Sequence, residues 1–132
     1  MQKEILNPPE LFRGVGFSQA VAGRGSRAVF VSGQIALDRE GKLVGRDDLG
    51  AQTRQVFENL RAALAAAGVG FGDVVKLNYY VVGFRPEQLA VIREVRGRYL
   101  PAEAPPASTL VGVTALAMEG LLIEVEATAL TD

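Results

Sequence analysis

Asp73-Val74-Val75-Lys76-Leu77-Asn78-Tyr79-Tyr80-Val81-Val82 alternates apolar and polar residues along most of its length. Side chains of an extended strand point to opposite faces in turn, so Val75, Leu77, Tyr79 and Val81 are predicted to face one way and Lys76, Asn78 and Tyr80 the other. The segment reads as a half-buried strand. The period changes on both sides of it. From Asp48 to Ala67, Leu49, Val56, Phe57, Leu60 and Leu64 recur at helical spacing, with Asp47 or Asp48 as N-cap and Gly68 as the stop. A second helix is expected to begin near Pro86, whose fixed φ suits a first turn, and to end before Pro101. Its apolar stripe is Leu89, Ile92, Val95 and Tyr99. With strand-like segments at both ends, the order is strand, strand, helix, strand, helix, strand, strand. That order implies an α+β domain with two helices on one face of a mixed sheet.

Three segments end an apolar run in small polar groups: Val29-Phe30-Val31-Ser32-Gly33-Gln34, Pro106-Ala107-Ser108-Thr109-Leu110-Val111-Gly112-Val113, and Leu122-Ile123-Glu124-Val125-Glu126-Ala127. Parity groups Ser32 with Gln34, Lys76 with Asn78 and Tyr80, and Glu124 with Glu126. Polar groups are therefore expected to gather on the sheet face opposite the helices, where they either face water or line a subunit interface. Leu110 and Leu116 share the parity of Ser108, so that face is expected to be mixed and to associate with other copies. Gly33 and Gly112 are read as points of close backbone approach. Gly14-Val15-Gly16 and Gly23-Arg24-Gly25 are read as turns, because neither opens a helix after a strand as a phosphate-binding loop does.

At 132 residues, 48% hydrophobic and 22% charged, the chain suits one domain, residues 1–132, with its own core. A net charge of −1 gives no basic surface for a phosphate backbone, so nucleic acid is not an expected partner. No membrane span or signal-peptide core is visible, and the absence of cysteine fits a reducing compartment, so the expected location is cytoplasmic. With neither His nor Cys, the chain has no imidazole triad, no thiol nucleophile and none of the usual zinc ligand sets. No cofactor or metal is expected, and any catalysis falls to carboxylates, Lys, Arg, Tyr, hydroxyls, backbone groups and water.

The chain resembles the Rid family of YjgF type, the reactive intermediate (imine/enamine) deaminases. The resemblance runs through GVGFSQAV at 14–21, VFVSGQIALD at 29–38, AQTRQVFENLRAAL at 51–64, DVVKLNYYV at 73–81, PPASTLVGV at 105–113 and LIEVEATA at 122–129. It implies a chorismate-mutase-like fold, a homotrimer whose sheets form a central barrel, and ligand clefts between neighbouring subunits. It also implies hydrolysis of 2-aminoacrylate and related imines without metal or organic cofactor, a 2-iminobutanoate/2-iminopropanoate deaminase-like activity. Glu124 falls where the family places the glutamate that positions the attacking water, and Ser32 and Gly33 fall on its cleft-lining Ser-Gly pair. Other positions depart from the pattern. The family's substrate-carboxylate arginine follows a Pro-Ala pair, yet Pro106-Ala107 is followed here by Ser108. The tyrosine of its PYSQ motif is Phe17, and the asparagine of its second helix aligns with Arg93.

An arginine binds a carboxylate through charge-assisted, bidentate hydrogen bonds, so Ser108 predicts weak activity on the archetypal substrate and an altered substrate preference. Arg93, at the edge of the apolar stripe, is a candidate replacement anchor; the alternative is a solvated helix arginine. Glu124 is the candidate catalytic carboxylate, against a place in an interfacial ion pair. Phe17, Ser32, Gly33, Arg93 and Ser108 are the candidate substrate-binding residues, although Phe17 and Tyr80 also suit simple packing and Ser32 a local backbone contact. The expected partner is a small imine, enamine or 2-oxo acid-like ligand. A non-catalytic metabolite-binding or regulatory trimer is the alternative function, with an endoribonuclease or translation inhibitor behind it.

Overall fold

The computed structural model describes residues 1–132. In chain order the elements are β1 (Gln2–Leu6), β2 (Ala20–Arg24), β3 (Arg27–Gln34), α1 (Leu49–Ala66), β4 (Val74–Val82), α2 (Gln88–Arg96), β5 (Ala107–Val113) and β6 (Ile123–Thr131). Four strands form a sheet in the order β3-β6-β4-β5, antiparallel except for the β4–β5 pair. Parallel neighbours need a crossover, and α2 supplies it. The mixed sheet with two helices is the predicted α+β architecture. The sequence reading missed β1, which pairs antiparallel with β2 in a separate two-stranded sheet. Gln2, Lys3 and Glu4 carry no apolar periodicity that would have announced it. Gly23 correspondingly lies inside β2, opposite Lys3, rather than in a turn. No helix is long and apolar enough to cross a membrane.

The helix α1 begins where its cap residue predicts. Asp48 accepts a hydrogen bond from the Ala51 N–H at 3.0 Å, satisfying one of the free donors of the first turn. Past its end, Gly68 takes φ +75°, and its N–H bonds back to Ala65 O. Val56, Phe57, Leu60 and Leu64 are fully buried with Leu77, Tyr79, Val125 and Ala127 of the sheet in one core. Burying each large side chain of this kind stabilises the fold by about 1.5–3 kcal/mol. The same face buries Gln52, whose amide donates to Gly45 O and Gly120 O and accepts from the Leu122 N–H. Three bonds from one side chain hold the loop before α1 against the entrance to β6. An apolar-periodicity reading does not register it.

Two irregularities in the ladders change which residues share a face. Between Val74 and Lys76 the β4–β6 register shifts by one, so Val74 opposes Ala129 and is fully buried while Val75 is only half-buried. The core set of β4 is thus Val74, Leu77, Tyr79 and Val81, correcting the predicted Val75. A second shift lies between Val31 and Gln34, which oppose the buried Ala127 and Val125. Cross-strand partners share a face, so Gln34 lies on the helix side and does not share the open face expected from its parity with Ser32. On β5, Ser108 opposes the buried Leu77 whereas Thr109 opposes Asn78. Ser108 is therefore on the helix side too, and the polar ends of the three segments do not converge on one face.

Candidate functional site

The open face of the sheet carries Lys76, Asn78 and Tyr80 from β4 beside Glu124 and Glu126 from β6, as cross-strand pairs Asn78–Glu126 and Tyr80–Glu124. The two glutamates differ in what holds them. Tyr80 Oη donates to Glu126 Oε1 at 2.6 Å and Asn78 Nδ2 donates to the same oxygen at 3.1 Å. That hydrogen bond to a carboxylate, followed by partial desolvation and the charges of Glu126 and Glu124, raises the Tyr80 pKa above its ordinary value. Glu124 has no hydrogen-bond or ion-pair partner within the chain. It lies against Gly33, where a Cβ would fall on its Oε2. Only glycine lets β3 approach this carboxylate so closely, which is the close approach expected of Gly33. Ser32, beside it at the register shift, is exposed, and its carbonyl accepts from Gln34 Nε2 at 3.0 Å.

The other candidates meet on the helix side, at the β5 edge. Phe17, Arg93 and Ser108 border one cavity of about 300 Å³ together with Phe84, Leu89, Leu110 and Arg96. The Phe17 ring packs over Gly14, at the place where any side chain at position 14 would stand. Next to it, Ser18 is tied to the loop before β5, its N–H bonding to Pro106 O at 3.0 Å and its hydroxyl to Pro105 O at 2.5 Å. These bonds set the segment carrying Phe17 beside Ser108. Arg93 is exposed at the rim, as expected of a residue at the edge of the α2 stripe.

Arg96 is the residue that sequence reasoning missed. It is 4% exposed, against Arg93 at the solvent, and it borders a second cavity of about 320 Å³ that also reaches Arg93, Val15 and Pro105. Its Nη2 donates to Val15 O at 3.1 Å, its guanidinium carbon lies 5.7 Å from the centre of the Tyr79 ring, and its Nε has no partner. Tyr79 Oη is buried and also lacks a well-formed hydrogen bond. Burial pushes the Tyr79 pKa up to about 12, and Arg96 opposes the rise in part through its charge and a loose hydrogen bond to the hydroxyl. A cation in the last turn of α2 gains about 0.3–1 kcal/mol from the helix dipole, whereas burying a charge without a counter-ion costs several kcal/mol. The helix end alone therefore does not account for Arg96. The apolar period placed Ile92 and Val95 in the core, and both are buried, but a charged residue next to Val95 gave no signal of burial.

The six candidate residues thus divide into two groups. Ser32, Gly33 and Glu124 lie on the β3–β6 side, and Phe17, Arg93 and Ser108 beyond β4 at the β5 edge. No cavity of the single chain contains members of both groups. The roomiest depression, about 580 Å³ over β1 and β2, is bordered by none of them.

The α+β fold has counterparts among known proteins. The family model described as Endoribonuclease L-PSP matches residues 12–131, and the chain belongs to that family, whose members also carry the names Rid, YjgF and RutC. Protein DfrA of Myxococcus xanthus is 35% identical over 132 residues, covering 99% of this chain and 98% of DfrA. RutC family protein PH0854 of Pyrococcus horikoshii is 34% identical over 128 residues, covering 96% of this chain and 97% of the relative. Among solved structures, YyfB from Yersinia pestis, a protein of unknown function of the conserved Rid family, superposes with a TM-score of 0.93 at 42% identity. The match covers 98% of this chain and 99% of YyfB.

Proposed function

We propose that this protein hydrolyses reactive enamine or imine intermediates to ketones and ammonia, with a substrate preference shifted away from 2-aminoacrylate. The observation that carries the reading is the contrast between the two glutamates of β6. Glu126 is engaged by Tyr80 and Asn78, while Glu124 keeps its acceptor capacity free beside the Gly33 backbone. A carboxylate so placed is suited to orient a water and take its proton as the oxygen adds to the C=N carbon. That proton passes to nitrogen to give the neutral carbinolamine, whose hydroxyl proton then moves to the amino group as C=O forms and ammonia leaves. Both protons of the consumed water end on nitrogen and the C=N double bond is exchanged for C=O, with no change of oxidation state. An enamine first takes a proton at its β-carbon to become the imine.

Catalysis in this reading needs a second subunit. The two groups of candidate residues lie toward opposite edges of the β3-β6-β4-β5 sheet, so a head-to-tail contact could join the β5-edge group of one copy to the β3-side group of the next. Head-to-tail contacts close into rings, and a trimer with three shared clefts satisfies both groups in every copy. Exposed Phe30 and Val111, 78% and 42% accessible on the open face, supply apolar area for such an interface.

The deciding experiment is a panel of imines generated by amino acid oxidases, with small, neutral and bulky side chains, followed with and without the protein. Faster imine loss is expected for several members and only weakly for 2-aminoacrylate. Binding of 2-oxo acids with no acceleration of any imine would leave a metabolite-binding trimer instead. The family description names an endoribonuclease, but a net charge of −1 and the absence of histidine do not favour RNA cleavage.

A further inference from the structure

We propose that Arg96 is the carboxylate anchor of the cleft, and that it selects 2-imino acids with a bulky apolar or aromatic side chain. The inference rests on the imine-hydrolase reading for its reaction but not for its binding. The four ion pairs of the chain involve neither Arg93 nor Arg96. Arg96 is therefore a nearly buried cation with no carboxylate partner: its one well-formed hydrogen bond goes to the neutral Val15 carbonyl, the neutral Tyr79 hydroxyl stands close enough to interact, and its Nε is unpartnered. A desolvated guanidinium of this kind gains more from a carboxylate than an exposed one does, because water no longer competes for its donors.

The surroundings hold the guanidinium ready. The Tyr79 ring lies on one side, and the Gly14–Phe17 turn crosses close by, with Gly16 at φ +78°. A Cβ at Gly16 would come within 3.0 Å of Arg96 Nη2, so this approach depends on glycine. A group fixed before the ligand arrives loses little freedom on binding. With the anchor on α2 instead of β5, the small Ser108 leaves space along β5. The cavity there is walled by Phe17, Phe84, Leu89 and Leu110 and measures about 300 Å³, which suits an aromatic or branched side chain and which a methylene group would leave largely unfilled. Arg93, exposed at the rim, adds positive charge that draws anions toward Arg96.

Calorimetric titration with phenylpyruvate, pyruvate and 1-phenylpropan-2-one, the last lacking the carboxylate, tests the assignment without any catalysis. Phenylpyruvate is expected to bind at least about tenfold more tightly than either other ligand. Arg96→Met should weaken phenylpyruvate roughly ten- to a hundredfold and leave the neutral ketone unchanged. Should Arg96→Met not fold, Arg96→Lys keeps the charge while losing the bidentate fork, and it should narrow the preference for phenylpyruvate over the ketone. An unchanged preference in these variants removes Arg96 as the anchor, and equal binding of pyruvate and phenylpyruvate removes the bulky substrate class. Imine turnover is read separately. Hydrolysis with an Arg96-independent preference overturns the anchor alone, and Arg96-dependent binding with no hydrolysis overturns the catalytic reading alone.

Discussion

The β3–β6 side and the β5 edge of this sheet are built on opposite principles. Around Glu124 the backbone comes in close, glycine makes room, and the neighbouring polar groups on the open face satisfy one another. Around Ser108 the walls are apolar, space is left open, and two arginines stand without carboxylate partners. In the proposed reading, the first region supplies the catalytic carboxylate Glu124 and the second receives a substrate carboxylate together with an apolar body. That division of roles sets the order of the expected effects.

Glu124→Gln should have the largest effect. It keeps the shape and removes the base, so imine hydrolysis should fall by roughly 10²–10⁴-fold while light scattering still gives a species of three times 14.0 kDa. If rates hold in this variant, the β3–β6 side is not the chemical half of the site. A monomer at micromolar concentration in the wild type would instead sever the link between the two regions.

Gly33→Ala should come next, because the new methyl falls on Glu124 Oε2 and must displace the carboxylate or the strand. Because the atoms in the way belong to the flexible and unpartnered Glu124 side chain, a loss of under about 1 kcal/mol in denaturant unfolding is expected, with activity falling further than stability explains. Unchanged activity would show that the position of Glu124 is not critical.

At the other region, Ser108→Arg should raise 2-aminoacrylate turnover by roughly tenfold by restoring a guanidinium on β5. Arg93 and Arg96 border the same cavity and repel the new charge, so Ser108→Arg with Arg93→Asn should gain more than Ser108→Arg alone. Wild-type activity already equal to that of an archetypal deaminase would show that position 108 does not govern the substrate.

Tyr79→Phe should have the smallest effect near neutral pH, within about 1 kcal/mol of wild type, since the hydroxyl it removes has no well-formed partner. Its signature lies in alkali. The folded-state pKa is raised from 10.0 to about 12, so the folded protein holds the proton more tightly than the unfolded chain. Stability is then fully present below pH 10 and is lost as pH rises through 10 toward 12. Chemical denaturation across that range should show a shallower decline in Tyr79→Phe. Tyr80 and Tyr99, whose pKa values are also raised, contribute to the decline that remains, and Lys3, whose pKa burial lowers, opposes it.

Much of the first region was legible in the chain. Gly33 and Glu124 sit in segments whose alternation and residue types marked them, and Asp48 and Gly68 bounded α1 because capping is a local matter of a few residues. Less of the second was legible. Phe17, Arg93 and Ser108 were singled out one by one, but nothing in their spacing of 76 and 15 residues placed them around one cavity.

The sequence by itself determined the two helices, the strand between them, the mixed α+β order and the shortage of catalytic groups, because each follows from local periodicity, caps or composition. Only the tertiary structure decided that Gln34 and Ser108 leave the open face, where Lys76, Asn78, Tyr80, Glu124 and Glu126 gather as their parity predicts. A shift of one residue in a strand reverses every side chain after it, and the shifts at Val74/Lys76 and Val31/Gln34 depend on what the partner strand presents. It alone also decided that Arg96 is buried and Arg93 is not. Both are arginines in the last turn of one helix, and their difference comes from the Tyr79 ring and the Val15 carbonyl, brought to Arg96 from 17 and 81 residues away along the chain.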